Sequence, residues 1–513
     1  MSIGSKKIAI AITLITLICK MLGFLKNSVL AYYFGTSAVV DAYVMCFSIG
    51  TITSGWIAGL IGNFTPKYKE IEIHKGHDKT LVFSSRVMNM ILTLVLLLIG
   101  LLELMAPVIV RLAAPGFDDL AYSYTVHFFR MYCISIFFYA IFRFSQEYLN
   151  CNQKHLTAII PDMLMSSICV VGIIISSKIG ADFLILGYIV AILLQSIITY
   201  LCSQKMGFKM RVVKPWDDDV KSLLVMAVPI FLSDTLSNIN NFIDKIFASN
   251  LGSGIVSALD YANTMKEFAY QAGTIAITTM IFPVLSKLWA NGNKTEFESK
   301  LVQGLNYFTF IYIPVIYGIV FTGDIIISVV FQRGEFTGEA TIITTNAFII
   351  YSISLIAMVY RCVFLKAFYA MQKTIYILIV SFSNVVLNII LNVILVRRFG
   401  YLGLTAATTL AALICIPLYF LLFKKAVNDV NYKEFGIKLL KCFLAATVMG
   451  GITYFLRLAL NQLFTNGIAL QLLLLGIIAI IGIGTYSLFC ILFKVEEISN
   501  LLLILRSRNN TIK

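Results

Sequence analysis

The chain has 513 residues, of which 59% are hydrophobic and only 13% charged, and its mean hydropathy is +0.89. Ordinary soluble domains carry roughly 25% charged residues, so this composition excludes a water-soluble globular protein and defines an integral membrane protein. Ten cysteines, scattered through apolar segments without a Cys-x-x-Cys pair, argue against a metal cluster or a disulfide framework.

Fourteen apolar runs are long enough to cross ~30 Å of hydrocarbon as helices. They lie near 8–34, 38–65, 80–110, 121–150, 155–177, 181–204, 220–249, 254–289, 301–331, 339–370, 374–397, 400–424, 435–460 and 469–493. The predicted fold class is therefore an all-α polytopic membrane protein of fourteen transmembrane helices. The first run follows Lys6 and Lys7, lacks a small-residue cleavage site and continues through Lys20, which predicts an uncleaved first helix.

Lys20 and Lys26 stand inside that first run. A charge at bilayer depth costs at least ~2.5 kcal/mol, so two on one helix point to an aqueous pathway or an anionic ligand. At 100° per residue, Thr16, Lys20, Gly23 and Asn27 share one face, with Lys26 at its edge. On the second helix Asp41, Ser48, Gly55, Gly59 and Gly62 align, a stripe suited to close helix packing. The seventh carries Asp234, Asn238, Asn241 and Lys245 on one face, with Asp244 beside it. On the eighth, Asp260, Thr264, Glu267, Gln271, Thr274 and Thr278 align while Lys266 points elsewhere. Stripes this polar predict the walls of an aqueous cavity.

The formal charge of +14 follows topology. With a cytoplasmic N-terminus, inner loops hold Lys67, Lys69, Lys75, Lys79, Lys154, Lys205, Lys209, Arg211, Lys214, Lys287, Lys294, Lys300, Lys373, Lys424, Lys425 and Lys433, whereas outer loops hold only Arg111, Lys178, Arg333, Arg397 and Arg398. This is the positive-inside pattern, not a nucleic-acid footprint. It places both termini in the cytoplasm.

Runs one to six and seven to twelve read as copies. Asp41 and Asp260, Pro66 and Pro283, Gly116 and Gly334, and Gln153-Lys154 and Gln372-Lys373 recur in order at offsets of 217 to 219 positions. Copies with an even number of spans are parallel repeats about an axis along the membrane normal, with substrate between them. The predicted organisation is an N-lobe at 1–204, a cytoplasmic linker at 205–219, a C-lobe at 220–425, and a helix pair with a cytoplasmic tail at 426–513. No enzyme constellation emerges: His74, His77, His127 and His155 lack ligand spacing, and there is no nucleotide-binding loop.

Several ordered motifs carry a resemblance. They are Leu22-Gly23-Phe24 with Lys26, Tyr33-Phe34-Gly35, Asp41-Ala42-Tyr43, Ala114-Pro115-Gly116-Phe117, Phe282-Pro283-Val284-Leu285-Ser286, Arg333-Gly334-Glu335-Phe336-Thr337, Phe368-Tyr369-Ala370 and Gly403-Leu404. Together they resemble the MurJ (MviN) family of lipid II flippases, within the superfamily of multidrug and lipid-linked oligosaccharide exporters. The resemblance implies two six-helix lobes alternating around a cationic cavity that takes a polyprenyl-linked glycan by its pyrophosphate. It also implies a final helix pair that receives the polyprenyl tail. It makes Lys20 and Lys26 the counterparts of two cavity arginines, and keeps Asp41 and Glu267 as acids, while arginines expected at two further positions are Ser54 and Thr264. With Asn27 from the polar face of the first helix, the expected substrate contacts are Lys20, Lys26, Asn27, Asp41, Ser54, Thr264 and Glu267. The resemblance further implies a sodium site from Asp244, Asn388, Asn392 and Thr408, and Na+ or H+ coupling or the membrane potential is the expected drive. Asn384, Asn388 and Asn392, spaced as a ladder on one helix, read equally as interhelical hydrogen bonding. The expected protein is a monomeric, multi-pass transporter of the bacterial inner membrane with no enzymatic activity, no other cofactor and no nucleic-acid partner. Lipid II is the first cargo; an O-antigen, capsule or exopolysaccharide unit is the alternative, followed by a cation-coupled drug antiporter.

Overall fold

The computed structural model describes residues 3–427, 432–461 and 467–498; the side chains of 3–10, 228–234, 237, 275–280 and 461 lie outside the described residues, and with them the predicted cavity residues Asp234 and Thr278. Every described regular element is a helix: α1 (Ile3–Phe34), α2 (Ala38–Ile61), α3 (Phe64–Lys75), α4 (His77–Ala113), α5 (Asp119–Cys151), α6 (His155–Ile179), α7 (Asp182–Lys205), α8 (Asp218–Ser249), α9 (Ile255–Ala290), α10 (Lys294–Phe331), α11 (Gly338–Ile353), α12 (Leu355–Ala370), α13 (Thr374–Val427), α14 (Lys433–Asn461) and α15 (Ile468–Leu492). Hydrocarbon offers backbone groups no partner, so a spanning segment must bond to itself as a helix. Among the described residues ten helices are long and apolar enough to cross a membrane, or eleven when α11 and α12, bent by 41°, count as one span.

Local chemistry sets the helix ends. Asp118 and Asp217 accept hydrogen bonds from the N–H groups of Ala121 (2.8 Å) and Val220 (2.9 Å), capping α5 and α8. A straight helix of the 54 residues of α13 would extend about 80 Å. Gly400, at φ 55° and ψ −132°, leaves helical geometry within it. Asn388 then donates to Thr408 and Asn384 to Cys415. Both pairs are centred near Gly400, so α13 is a hairpin of two antiparallel arms.

The chain forms two compact units: Met1–Asp260 with Arg333–Thr337, and Tyr261–Gln332 with Gly338–Lys513. In the first, α6 packs on α1 and α7, α5 on α2, α4 and α7, and α8 on α2. Its core is aromatic: Phe64 stacks on Phe83 and meets Phe144 edge-on, while Phe208 reaches Phe144 and Tyr148. Meanwhile Leu97, Leu104 and Leu112 on α4 stand bare, which suits lipid and not water.

In the second unit α10 is the spine, packing on α11, α12, α14 and α15. Phe310, Cys442, Ala446, Tyr486 and Cys490 form a continuous buried cluster there. Tyr486 Oη donates to the Phe310 carbonyl at 2.9 Å, and Arg457 pairs with Asp324 while donating to the Phe321 carbonyl at 2.6 Å.

Two turns repeat one geometry. Gln153, between α5 and α6, has φ 59°, and Gln372, between α12 and α13, has φ 57°. Lys154 N–H donates to Leu149 at 2.9 Å, and Lys373 N–H to Phe368 at 2.9 Å.

Candidate functional site

The first unit contains a cavity of about 520 Å³ whose lining includes Lys26, Ser54, Tyr132, Tyr139, Tyr188 and Asn238. Gly23 also borders it, one turn before Lys26 on α1. The Lys26 ammonium lies 6.0 Å from the ring centroids of both Tyr43 and Phe47, so two aromatic faces partly replace its lost water. Behind it, Tyr132 and Tyr188 stack with centroids 5.6 Å apart, and Phe47 meets Tyr188 edge-on at 4.6 Å. Ser54, where the resemblance implies an arginine, donates to the Gly50 carbonyl at 2.7 Å. It leaves Lys26 as the cation that lines the cavity. Lys20 is exposed six residues earlier on α1, about 9 Å along the axis, and Asn27 is half-buried beside Lys26.

Asp41 has a different setting. It is 1% exposed, and its carboxylate accepts hydrogen bonds from the backbone N–H groups of Gly254 (2.6 Å) and Ser257 (2.8 Å). These belong to the start of α9, so Asp41 supplies an N-terminal cap from a helix far away in sequence. Gly254 has φ +84°, and a Cβ there would fall 2.6 Å from the Thr36 carbonyl oxygen. The same end of the unit receives Arg333–Thr337, where Glu335 N–H donates to the Tyr32 carbonyl at 2.9 Å. Asp260 pairs with Lys245 at 2.8 Å, and Lys245 also donates to Ser48 at 2.8 Å. Asp244 is buried on the same helix, α8.

In the second unit Thr264 and Glu267 are half-buried on α9. Lys266, expected to point elsewhere, is 6% exposed, 3.8 Å from Glu267 and 5.1 Å above the Tyr351 ring. An idealised helical wheel assumes one wet face; here the neighbouring α11 supplies an aromatic cover for the other. Asn388 and Asn392 are both 0% exposed, with Asn392 Nδ2 donating to Asn388 Oδ1 at 3.0 Å and Asn388 Nδ2 to Thr408 Oγ1 at 3.3 Å. The α13 hairpin thus brings together three of the four oxygen donors named for sodium, and Asp244 belongs to the other unit. The described residues contain no cluster of three or more His, Cys, Asp or Glu side chains able to hold a metal ion.

Sequence reasoning passed over Asp162 on α6 and Arg143 on α5. A lone acid in the apolar run 155–177, directly after Pro161, was the available signal.

A family model described as "Lipid II flippase MurJ" matches residues 30–475. A probable lipid II flippase MurJ of Rhizobium meliloti is 27% identical over 418 residues, covering 79% of this chain and 78% of that protein. The Rickettsia prowazekii protein of the same description is 23% identical over 506 residues, covering 96% of this chain and 98% of its own. Among solved structures, a lipid II flippase MurJ in an inward closed conformation aligns with a TM-score of 0.81 at 23% identity, covering 94% of this chain and 99% of the other. An inward-facing multidrug resistance MATE family transporter of the MOP superfamily aligns with a TM-score of 0.66 at 16% identity, covering 80% and 94%. At these identities the solved structures speak for the fold alone.

Proposed function

We propose, for a chain that belongs to the lipid II flippase MurJ family, that it carries lipid II from the cytoplasmic to the outer leaflet of the bacterial inner membrane by alternating access. The observation that carries this reading is Lys26, an ammonium ion inside a cavity of a membrane helix bundle. An anionic diphosphate is the natural partner of such a charge, and hydroxyl and amide groups of Ser54, Tyr139 and Asn238 suit the sugars beside it. Flipping makes and breaks no covalent bond, so no catalytic residue is assigned. A potential negative inside favours outward movement of anions by ~2.3 kcal/mol per charge per 100 mV.

The finer architecture belongs to the same proposal. We take α8 and α9, each over thirty residues, as spans, α11 and α12 as one bent span, and the arms of α13 as two, which gives fourteen crossings with both termini cytoplasmic. The matched turns at Gln153 and Gln372 support two parallel six-helix repeats, with lobes at 1–204 and 220–425, a linker at 205–219 and a terminal pair at 426–513 that takes the polyprenyl tail. Lys20, Lys26, Asn27, Ser54, Thr264 and Glu267 are the proposed substrate contacts, and Asp41, expected with them, is assigned to capping α9 instead. Asp244, Asn388, Asn392 and Thr408 are proposed to hold Na+, and the protein is taken to act as a monomer.

Ser54 and Thr264, neutral where arginines are implied, favour a second reading in which the cargo is an O-antigen, capsule or exopolysaccharide unit. Complementation decides. In cells depleted of their lipid II flippase, the intact chain should restore growth and Lys26→Ala should not, at equal membrane expression. Failure of the intact chain to rescue moves the cargo to the second reading; rescue by Lys26→Ala removes the role given to that residue.

A further inference from the structure

The second unit holds a cavity of about 620 Å³ that the flippase reading does not use. It lies among the first turns of α10, the first turns of α14 and the segment after α15, at the end of the unit that the proposed topology puts in the cytoplasm. Its lining carries four carboxylates, Glu298, Glu434, Glu496 and Glu497, against two ammonium groups, Lys300 and Lys438. Two negative charges are left over, in a chain whose net charge is +14. Lys438 Nζ is 2.5 Å from Glu496 Oε2 and 3.8 Å from Glu497 Oε1, so one cation is shared between two acids. Lys300 donates to Gln303 Oε1 on its own helix at 3.1 Å. Glu497 is 5% exposed, and its Oε2 is buried without a hydrogen-bond partner among the described residues. Asn306 on α10, 7% exposed and also lining the cavity, has an equally unpartnered Oδ1.

Leaving a buried acceptor unpaired is costly, more so for a charged one, and both of these orphans are acceptors. What fills the cavity therefore donates hydrogen bonds and carries positive charge. A bare metal ion fits poorly: among the described residues no three His, Cys, Asp or Glu side chains converge to hold one, and the volume falls within the ~300–1,000 Å³ of organic-ligand sites. Burial grades from Glu497 through half-buried Glu298 to exposed Glu434, so negative charge runs from the inner wall to the mouth. An elongated cation with an ammonium group at each end matches that gradient, because each ammonium offers three donors to carboxylate and amide oxygens. We infer that this cavity binds a linear aliphatic polyamine from the cytoplasm, one ammonium donating to Glu497 Oε2 and Asn306 Oδ1 and another held by Glu298 and Glu434 at the mouth. The ligand bridges α10, α14 and the segment after α15, and so fastens the last helix pair to α10. The site belongs to a different unit from Lys26 and does not depend on the identity of the cargo.

The test uses full-length protein in nanodiscs of phosphatidylcholine, which hold no anionic lipid to take up the probe, at ~0.15 M salt, where exposed charges are screened beyond ~8 Å. Spermidine is the probe, MgCl2 and NaCl are the comparison arms, and binding is read by calorimetry and by Tm. Spermidine should bind saturably and raise Tm. Glu497→Gln should weaken its binding about tenfold, the scale of one hydrogen bond to a charged group, and Glu434→Gln by less, since that carboxylate is exposed. Asn306→Leu removes an unpaired acceptor, so it should raise the Tm of the empty protein and cut the shift that spermidine gives. An asparagine that only holds the fold together predicts the reverse, a lower Tm with spermidine affinity unchanged. That pair of results, equal spermidine affinity in Glu497→Gln, or a Tm rise matched by Mg2+ or Na+ at the same concentration overturns the proposal. The Asn306→Leu and Glu434→Gln arms decide it if Glu497→Gln does not fold.

Discussion

Replacing Asp41 separates a structural acid from a substrate contact. In the structure its carboxylate accepts two backbone N–H groups at the start of α9, at 2.6 and 2.8 Å, from a position that is 1% exposed. Hydrogen bonds to charged groups contribute about 1.5–3 kcal/mol each, and a carboxylate at a helix N-terminus adds a few tenths more. Asp41→Ala should therefore release the first turn of α9 by about 3 kcal/mol at the least, a ~150-fold rise in its local opening constant. Asp41→Asn keeps one acceptor oxygen and should lose about half as much. The assay is amide hydrogen exchange on the purified protein in nanodiscs, read on peptides covering residues 254–260. A substrate role predicts something else: exchange unchanged without ligand, with affinity for lipid II reduced. If Asp41→Ala leaves exchange in that peptide as it was, the capping argument is wrong.

Two further outcomes follow from the geometry. Gly254→Ala places a Cβ where the Thr36 carbonyl already lies at 2.6 Å and forces a left-handed φ on an alanine. It should lower Tm and membrane yield, whereas the same change at Gly55, with open space around its Cβ position, should not. Glu496 lies beyond α15, and the hydrogen bond from Lys438 holds its carboxyl below the ordinary carboxylate range. A lowered folded-state pKa gives stability that is present above the unfolded value near 4.5 and fades as pH falls through the folded one. Glu496→Gln should therefore narrow the gap between Tm at pH 6 and at pH 4, modestly because the pair is largely solvated; an unchanged gap refutes it.

Spans were legible where apolarity alone decides them. The runs 80–110, 155–177 and 181–204 became α4, α6 and α7 with ends shifted by a few residues. The break before residue 400 was legible too, because glycine alone relieves the geometry there. Hydropathy did not reveal α3, since Phe64–Lys75 is a charged helix whose first residues fall within the end of the second apolar run. Nor did it show what Asp41 binds: Gly254 is 213 positions away, and capping across such a distance leaves no local pattern. Lys26 was legible as a charge out of place, and it lines the cavity. Lys266 and Asp162 were not, because their burial depends on Tyr351 and Gln195 from other helices.

The fastening of the last two helices has a mechanical consequence. Tyr486 of α15 grips α10 at Phe310, and Arg457 of α14 grips it at Phe321 and Asp324. These points lie about 20 Å apart along α10. Two bolts at that spacing resist sliding and twisting together, so α10, α14 and α15 behave as one lever. Its outer edge, where Ile480 and Ile483 stand bare, suits contact with acyl chains. Any stroke of α10 must then push lipid aside, which ties its rate to the viscosity and lateral pressure of the bilayer.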